Sequence, residues 1–126
     1  MDASDESTAA EGPNARATLG YGDMIAAFHI GSIKVIQRYA CIRRDQFEFT
    51  AQHPFPPPFR DYLMTRGPIR GTSVLYILDI PQQFQLTVAP NAGRAVFVPR
   101  LSTELEWQKK TVLEIVSTLD EILRMV

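Results

Sequence analysis

Cys41 is the only thiol in this sequence, and His29 and His53 are the only imidazoles. A cysteine beside a histidine performs covalent catalysis when the imidazole takes the thiol proton. Neither histidine is near Cys41 in sequence, so the fold would have to bring a pair together. A zinc site needs Cys, His or carboxylate ligands clustered at paired spacings, and none of these residues is so spaced. No metal or other cofactor is expected. The carboxylates read no more strongly. Glu48 falls on the polar side of a strand pattern, Asp79 precedes a proline at a strand end, and Asp45 and Asp61 stand beside arginines as surface ion pairs, which are of small energetic value. Gly20-Tyr21-Gly22-Asp23 is rich in glycine but lacks the lysine and the preceding strand of a nucleotide fingerprint, and reads as a hinge. The chain is therefore expected not to be an enzyme. A small enzyme using Cys41 and a histidine is the third reading.

Binding chemistry is better represented. Residues 31–100 hold nine basic and four acidic side chains, against one and five in residues 1–30 and three and five in residues 101–126. Arg38, Arg43, Arg44, Arg60, Arg66 and Arg70 could meet phosphates. The strand faces that would point outward are rich in Gln, Glu and Thr, without the exposed aromatics of an RNA-stacking sheet. An accessory nucleic-acid-binding subunit is accordingly the alternative reading. The net charge of −1 creates no overall field toward nucleic acid or an anionic membrane.

Phe55-Pro56-Pro57-Pro58-Phe59 resembles the aromatic-plus-proline peptides that proline-recognition domains bind. Its place between structured segments favours a rigid crossing loop whose phenylalanines pack on the domain. Trp107 lies opposite the apolar stripe of the last helix, Met125 shares its angle, and Leu113 lies between that line and the stripe. Exposed tryptophan is enriched at interfaces. Trp107, Leu113, Met125, Phe55 and Phe59 are thus the candidate interaction residues. The first reading is a non-enzymatic protein-interaction or adaptor subunit in a homo- or hetero-oligomeric complex. No small-molecule substrate is evident.

These residues must be positioned by the elements around them. Residues 1–18 are small, polar and acidic, which predicts a disordered tail. MDASDESTAAEG has acids where a signal peptide needs basic and apolar regions. With no apolar run long enough to span a membrane, an intracellular site, cytoplasmic or nuclear, is expected. Residues 23–44 read as a helix with Asp23 as N-cap, because Gln37 and Tyr39 share one strand face while Ile36 and Arg38 share the other. Gly31-Ser32 could instead be a two-residue hairpin turn. Strands are predicted over Gln46–Gln52, Thr72–Ile80, Gln83–Ala89 and Arg94–Val98, and a short helical turn over Arg60–Arg66. Gly93 suits a left-handed turn position.

Leu105, Val112, Ile115, Val116, Leu119, Ile122, Leu123 and Val126 fall in one arc of a C-terminal helix. Thr103 and Glu106 have capping-box spacing at its start. The expected fold over 19–126 is a single α+β domain. It has an antiparallel sheet of about four strands, with an N-terminal helix and a long C-terminal amphipathic helix on one face. The alternative, if residues 24–42 form a hairpin, is an all-β barrel or roll closed by one C-terminal helix.

Overall fold

Residues 23–44 form an antiparallel hairpin, not a helix. The computed structural model describes residues 18–100 and 104–126. Strand β1 (Met24–Ile30) turns through Gly31 and Ser32 into β2 (Ile33–Cys41). Gly31 has φ 59°, the positive value that a two-residue hairpin turn with glycine first requires. Asp23, expected to cap a helix, instead accepts a hydrogen bond from the Gly20 N–H at 2.7 Å.

The hairpin continues into β3 (Arg44–Thr50). A segment with the short helix α1 (Pro57–Met64) then leads to β4 (Ile69–Gly71), β5 (Tyr76–Ile80), β6 (Phe84–Ala89) and β7 (Arg94–Pro99). The strands make one open antiparallel sheet in the order β1-β2-β3-β7-β6-β5-β4. The long helix α2 (Leu105–Met125) ends the chain. Two expectations are corrected by this architecture. The sheet has seven strands rather than about four, with no N-terminal helix, and it stays open rather than closing into a barrel or roll.

The sheet order dictates the path of the middle of the chain. β3 is central and β4 is the far edge, so residues 51–68 must cross the inner face of β7, β6 and β5. Pro57 and Pro58 open α1, where their missing N–H groups remove no helical hydrogen bond. The Phe55 N–H donates to the Pro90 carbonyl at 2.8 Å, anchoring the loop to the β6–β7 connection. Gly93 in that connection has φ 62°, and a Cβ there would collide with the backbone oxygens of His53 and Ala51.

Alternation puts Ile33 and Val35 of β2, Phe47 and Phe49 of β3, Leu78 of β5, Leu86 and Val88 of β6 and Phe97 of β7 on the inner face, all buried. Phe55, Phe59 and Leu63 cover one half of that face, and Val112, Ile115, Val116, Leu119 and Ile122 of α2 belong to the same core. Rings stack from Phe84 to Phe97 at 4.7 Å and meet edge-on from Phe97 to Phe47 at 6.1 Å, geometries worth about 0.5–1.5 kcal/mol per pair beyond burial. The stripe of α2 is shorter than the periodicity implies. Val126 is 76% exposed, while the polar Gln108, Thr111 and Asp120 join the buried side. The N-cap is Glu104, which makes no side-chain cap hydrogen bond. Thr103 of the expected capping box, and the expected tail apart from Thr18, lie outside the described residues.

Candidate docking groove beside strand β1

β1 is one end of the sheet. Its sequence, MIAAFHI, contains no Pro, Lys, Arg, Asp or Glu, the residues with which proteins ordinarily blunt a strand edge. Its register with β2 runs from Ile30 opposite Ile33 to Ala26 opposite Gln37, and then slips by a bulge between Met24 and Ala26. This register places Ala26, Phe28 and Ile30 on the same face as Ile33, Val35 and Gln37, toward α2. Among the described residues no strand pairs with the outer edge of β1.

α2 runs beside this edge and leaves a cleft of about 200 Å³. Ala26, Phe28, Gln37 and Phe47 contribute from the sheet, and Lys109 and Leu113 from the helix. A small side chain at position 26 leaves the space open. Leu113 is 41% exposed at the rim. Lys109 has no carboxylate partner among the described residues. An apolar cleft, a cationic rim and an unpaired strand edge are therefore contiguous.

A buried polar network fixes the height of α2 above the sheet. Gln37 Nε2 donates to Asp45 Oδ2 at 2.6 Å, and the Asp45 N–H donates to Gln108 Oε1 at 3.1 Å. Gln108 Nε2 donates onward to the carbonyl of Arg43, a residue held at φ 67° in the β2–β3 turn. Asp45 and Gln108 are fully buried and Gln37 nearly so. Burying such groups is tolerable only because each has a partner. The expectation that Asp45 is a surface ion-pair residue is corrected: it is a core carboxylate joining two strands and a helix.

The candidate interaction residues do not form one surface. Leu113 borders the β1 groove. Trp107, 36% exposed, shares a shallow hollow with Gln82, Gln83 and Glu104 near the β5–β6 turn. Met125 lies with Glu121 and Arg124 at the end of α2. Phe55 and Phe59 are core residues. The six arginines are likewise dispersed. Arg66 pairs with Glu114 at 3.0 Å and Arg70 with Asp79 at 3.4 Å. Arg38 donates to the Gly22 carbonyl, Arg44 to that of Arg100 and Arg60 to that of Thr72. Arg43 lends its carbonyl to Gln108.

The residues that could do covalent chemistry are kept apart. His29 is opposite Lys34, and Cys41 lies seven residues further along β2, about 23 Å at the rise of a strand. His53 follows the end of β3 nearest Lys34, away from Cys41. Among the described residues no three His, Cys, Asp or Glu side chains are grouped as a metal site would require. No helix among them is long and apolar enough to cross a membrane.

Sequence reasoning missed Ala26, Phe28, Gln37 and Lys109. The run Met24–Ile30 was itself the available signal: seven residues free of charge and proline, bounded by glycine. Comparison of the chain with protein-family models, curated proteins and solved structures finds no match.

Proposed function

We propose that this chain is a non-enzymatic protein-interaction module, acting inside the cell, that takes an extended segment of a partner protein along β1. The carrying observation is the apolar cleft between an unpaired strand edge and α2. Strand addition gives affinity through backbone hydrogen bonds, and a pocket for alternate side chains gives specificity. The partner segment has one large apolar residue for the cleft. An acidic residue next to it meets Lys109, which lacks a carboxylate partner among the described residues.

A display library of extended peptides, selected against the whole chain, tests this. Selected peptides should share an apolar residue flanked by Asp or Glu. Their affinity should fall about tenfold or more for Ala26→Leu, which fills the cleft, and for Lys109→Glu, which reverses the rim charge. Both variants should melt close to the wild type, because both positions are at least partly exposed. Selection without a shared motif, or binding indifferent to both variants, would overturn the proposal. Self-association through β1, seen as a dimer in sedimentation that Ala26→Leu abolishes, would replace the peptide by a second copy.

A further inference from the structure

A second hollow lies on the other half of the inner face, away from β1. It has a volume of about 240 Å³ and is bounded by Phe55, Pro57, Arg60, Ser73, Tyr76 and Asn91. Its walls are apolar, supplied by the crossing loop and the ring of Tyr76. The polar atoms that reach it are few, as in small-molecule sites.

Three of its features point to an anion. Arg60 stacks its guanidinium 4.4 Å above the Tyr76 ring and has no carboxylate partner among the described residues, whereas Arg66, Arg70, Arg94, Arg100 and Arg124 all do. The hydrogen bond its guanidinium donates to the Thr72 carbonyl is long at 3.3 Å. Tyr76 is 1% exposed as a residue, it lines the hollow, and its hydroxyl has no hydrogen-bond partner among the described residues. Burial also pushes its pKa up to about 12, so it stays protonated and available as a donor. The first turn of α1 adds little, since Pro57 and Pro58 have no N–H to offer. Arg60 and Tyr76, with Ser73 and Asn91 at the rim, supply the recognition.

We infer that this hollow binds a small organic monocarboxylate, its carboxylate held by Arg60 and the Tyr76 hydroxyl and its apolar body against Phe55 and Pro57. The site is separate from the β1 groove and stands whether or not a peptide binds there.

Phenylacetate is a suitable probe, titrated into the whole chain while backbone amide resonances are followed. The expected result is saturable shifts at Arg60, Ser73 and Asn91. Phenylacetamide, the neutral isostere, should bind about tenfold more weakly or worse, as should phenylacetate to Arg60→Gln, because each loses a charge-assisted hydrogen bond. Tyr76→Phe should weaken binding by about threefold, with its melting temperature held. The acid-against-amide comparison uses only wild type and needs no variant to fold. No saturable shift, or equal affinity for acid and amide, would overturn the inference. So would unchanged affinity in a folded Arg60→Gln.

Discussion

Gly31, in the β1–β2 turn, lies directly against the Asp120 carboxylate of α2: a Cβ built on Gly31 would overlap the carboxylate oxygens. Asp120 is 8% exposed and is paired with Arg124 at 3.2 Å. Gly31→Ala therefore meets two penalties, a left-handed φ and a displaced buried carboxylate. It should lower unfolding free energy by about 2 kcal/mol or more, the scale of strained backbone positions. In an Asp120→Ala background the clash is gone, and the same change should cost only about 1 kcal/mol. Urea unfolding of the four proteins checks this. Additive effects would mean that the contact carries no energy.

The network through Asp45 should be sensitive at its helical member. Gln108→Ala removes the acceptor of the Asp45 N–H and the donor to the Arg43 carbonyl. Leaving such groups buried without partners should cost about 1–3 kcal/mol. Amide exchange at Asp45 should accelerate beyond what the global loss of stability explains. Unchanged exchange there would show that the helix does not hold the turn.

The same network explains why the sequence favours a helix over the hairpin whose turn Gly31-Ser32 marks. In β2 the inward positions are Ile33, Val35, Gln37 and Tyr39, the outward ones are Lys34, Ile36 and Arg38, and a bulge after Tyr39 then sets Cys41 opposite Arg44. Gln37 points inward because Asp45 awaits it there, and Ile36 points outward onto a sheet face that α1 and α2 leave uncovered. These inversions break the period-two signal that separates strand from helix. β3, β6 and β7 carry no such network residue beyond Asp45, and their alternation was readable in place. β5 was readable only in its second half, since Thr72–Leu75 is a loop. β4 has three residues, too few for a period. The groove was out of reach, because it depends on which strand ends the sheet, and that is a property of strand order.

Burial along α2 predicts a sharp contrast between neighbouring turns. Leu119 is fully buried, so Leu119→Ala should cost about 2–5 kcal/mol, as other buried large-to-small changes do. Glu114 pairs with Arg66, but their side chains are 57% and 26% exposed. Glu114→Ala should cost about 0.5 kcal/mol or less. Denaturant midpoints measure both, and equal losses would contradict the placement of the helix.

Two titrating groups bend the stability curve at opposite ends. Hydrogen bonds from Arg100, then partial desolvation opposing them, and the nearby charges of Arg100 and Arg70 leave the Asp79 carboxyl below its ordinary 3.8. A lowered pKa in the folded state contributes stability that is present above the unfolded value and lost as pH falls through the folded one. Asp79→Asn should flatten the acid limb below about pH 4. Tyr76 is the reverse case. Its pKa rises from 10.0 to about 12, by burial offset in part by Arg60. Its contribution is whole below pH 10 and is lost as pH climbs toward 12. Tyr76→Phe should flatten the alkaline limb only. Urea midpoints across the pH range read both, and limbs unmoved by the substitutions would contradict the assignments.

The two most exposed apolar positions on the first half of α2 should behave differently toward a partner. Leu113 borders the groove with Ala26 and Phe28, whereas Trp107 stands with Gln82, Gln83 and Glu104 by another turn of the sheet. If an extended segment docks on β1, Leu113→Glu places a like charge beside the acidic residue sought by Lys109 and adds polarity to an apolar rim. Peptide affinity should then drop about tenfold or more. Trp107→Ala removes a larger side chain outside the docked segment and should change the same affinity by less than about threefold, since truncations away from the contact are near neutral. Both variants need a melting curve beside the binding isotherm, because Trp107 is only 36% exposed. A large loss of affinity for Trp107→Ala with none for Leu113→Glu would move the docking surface to the β5–β6 side of the helix and dismiss β1.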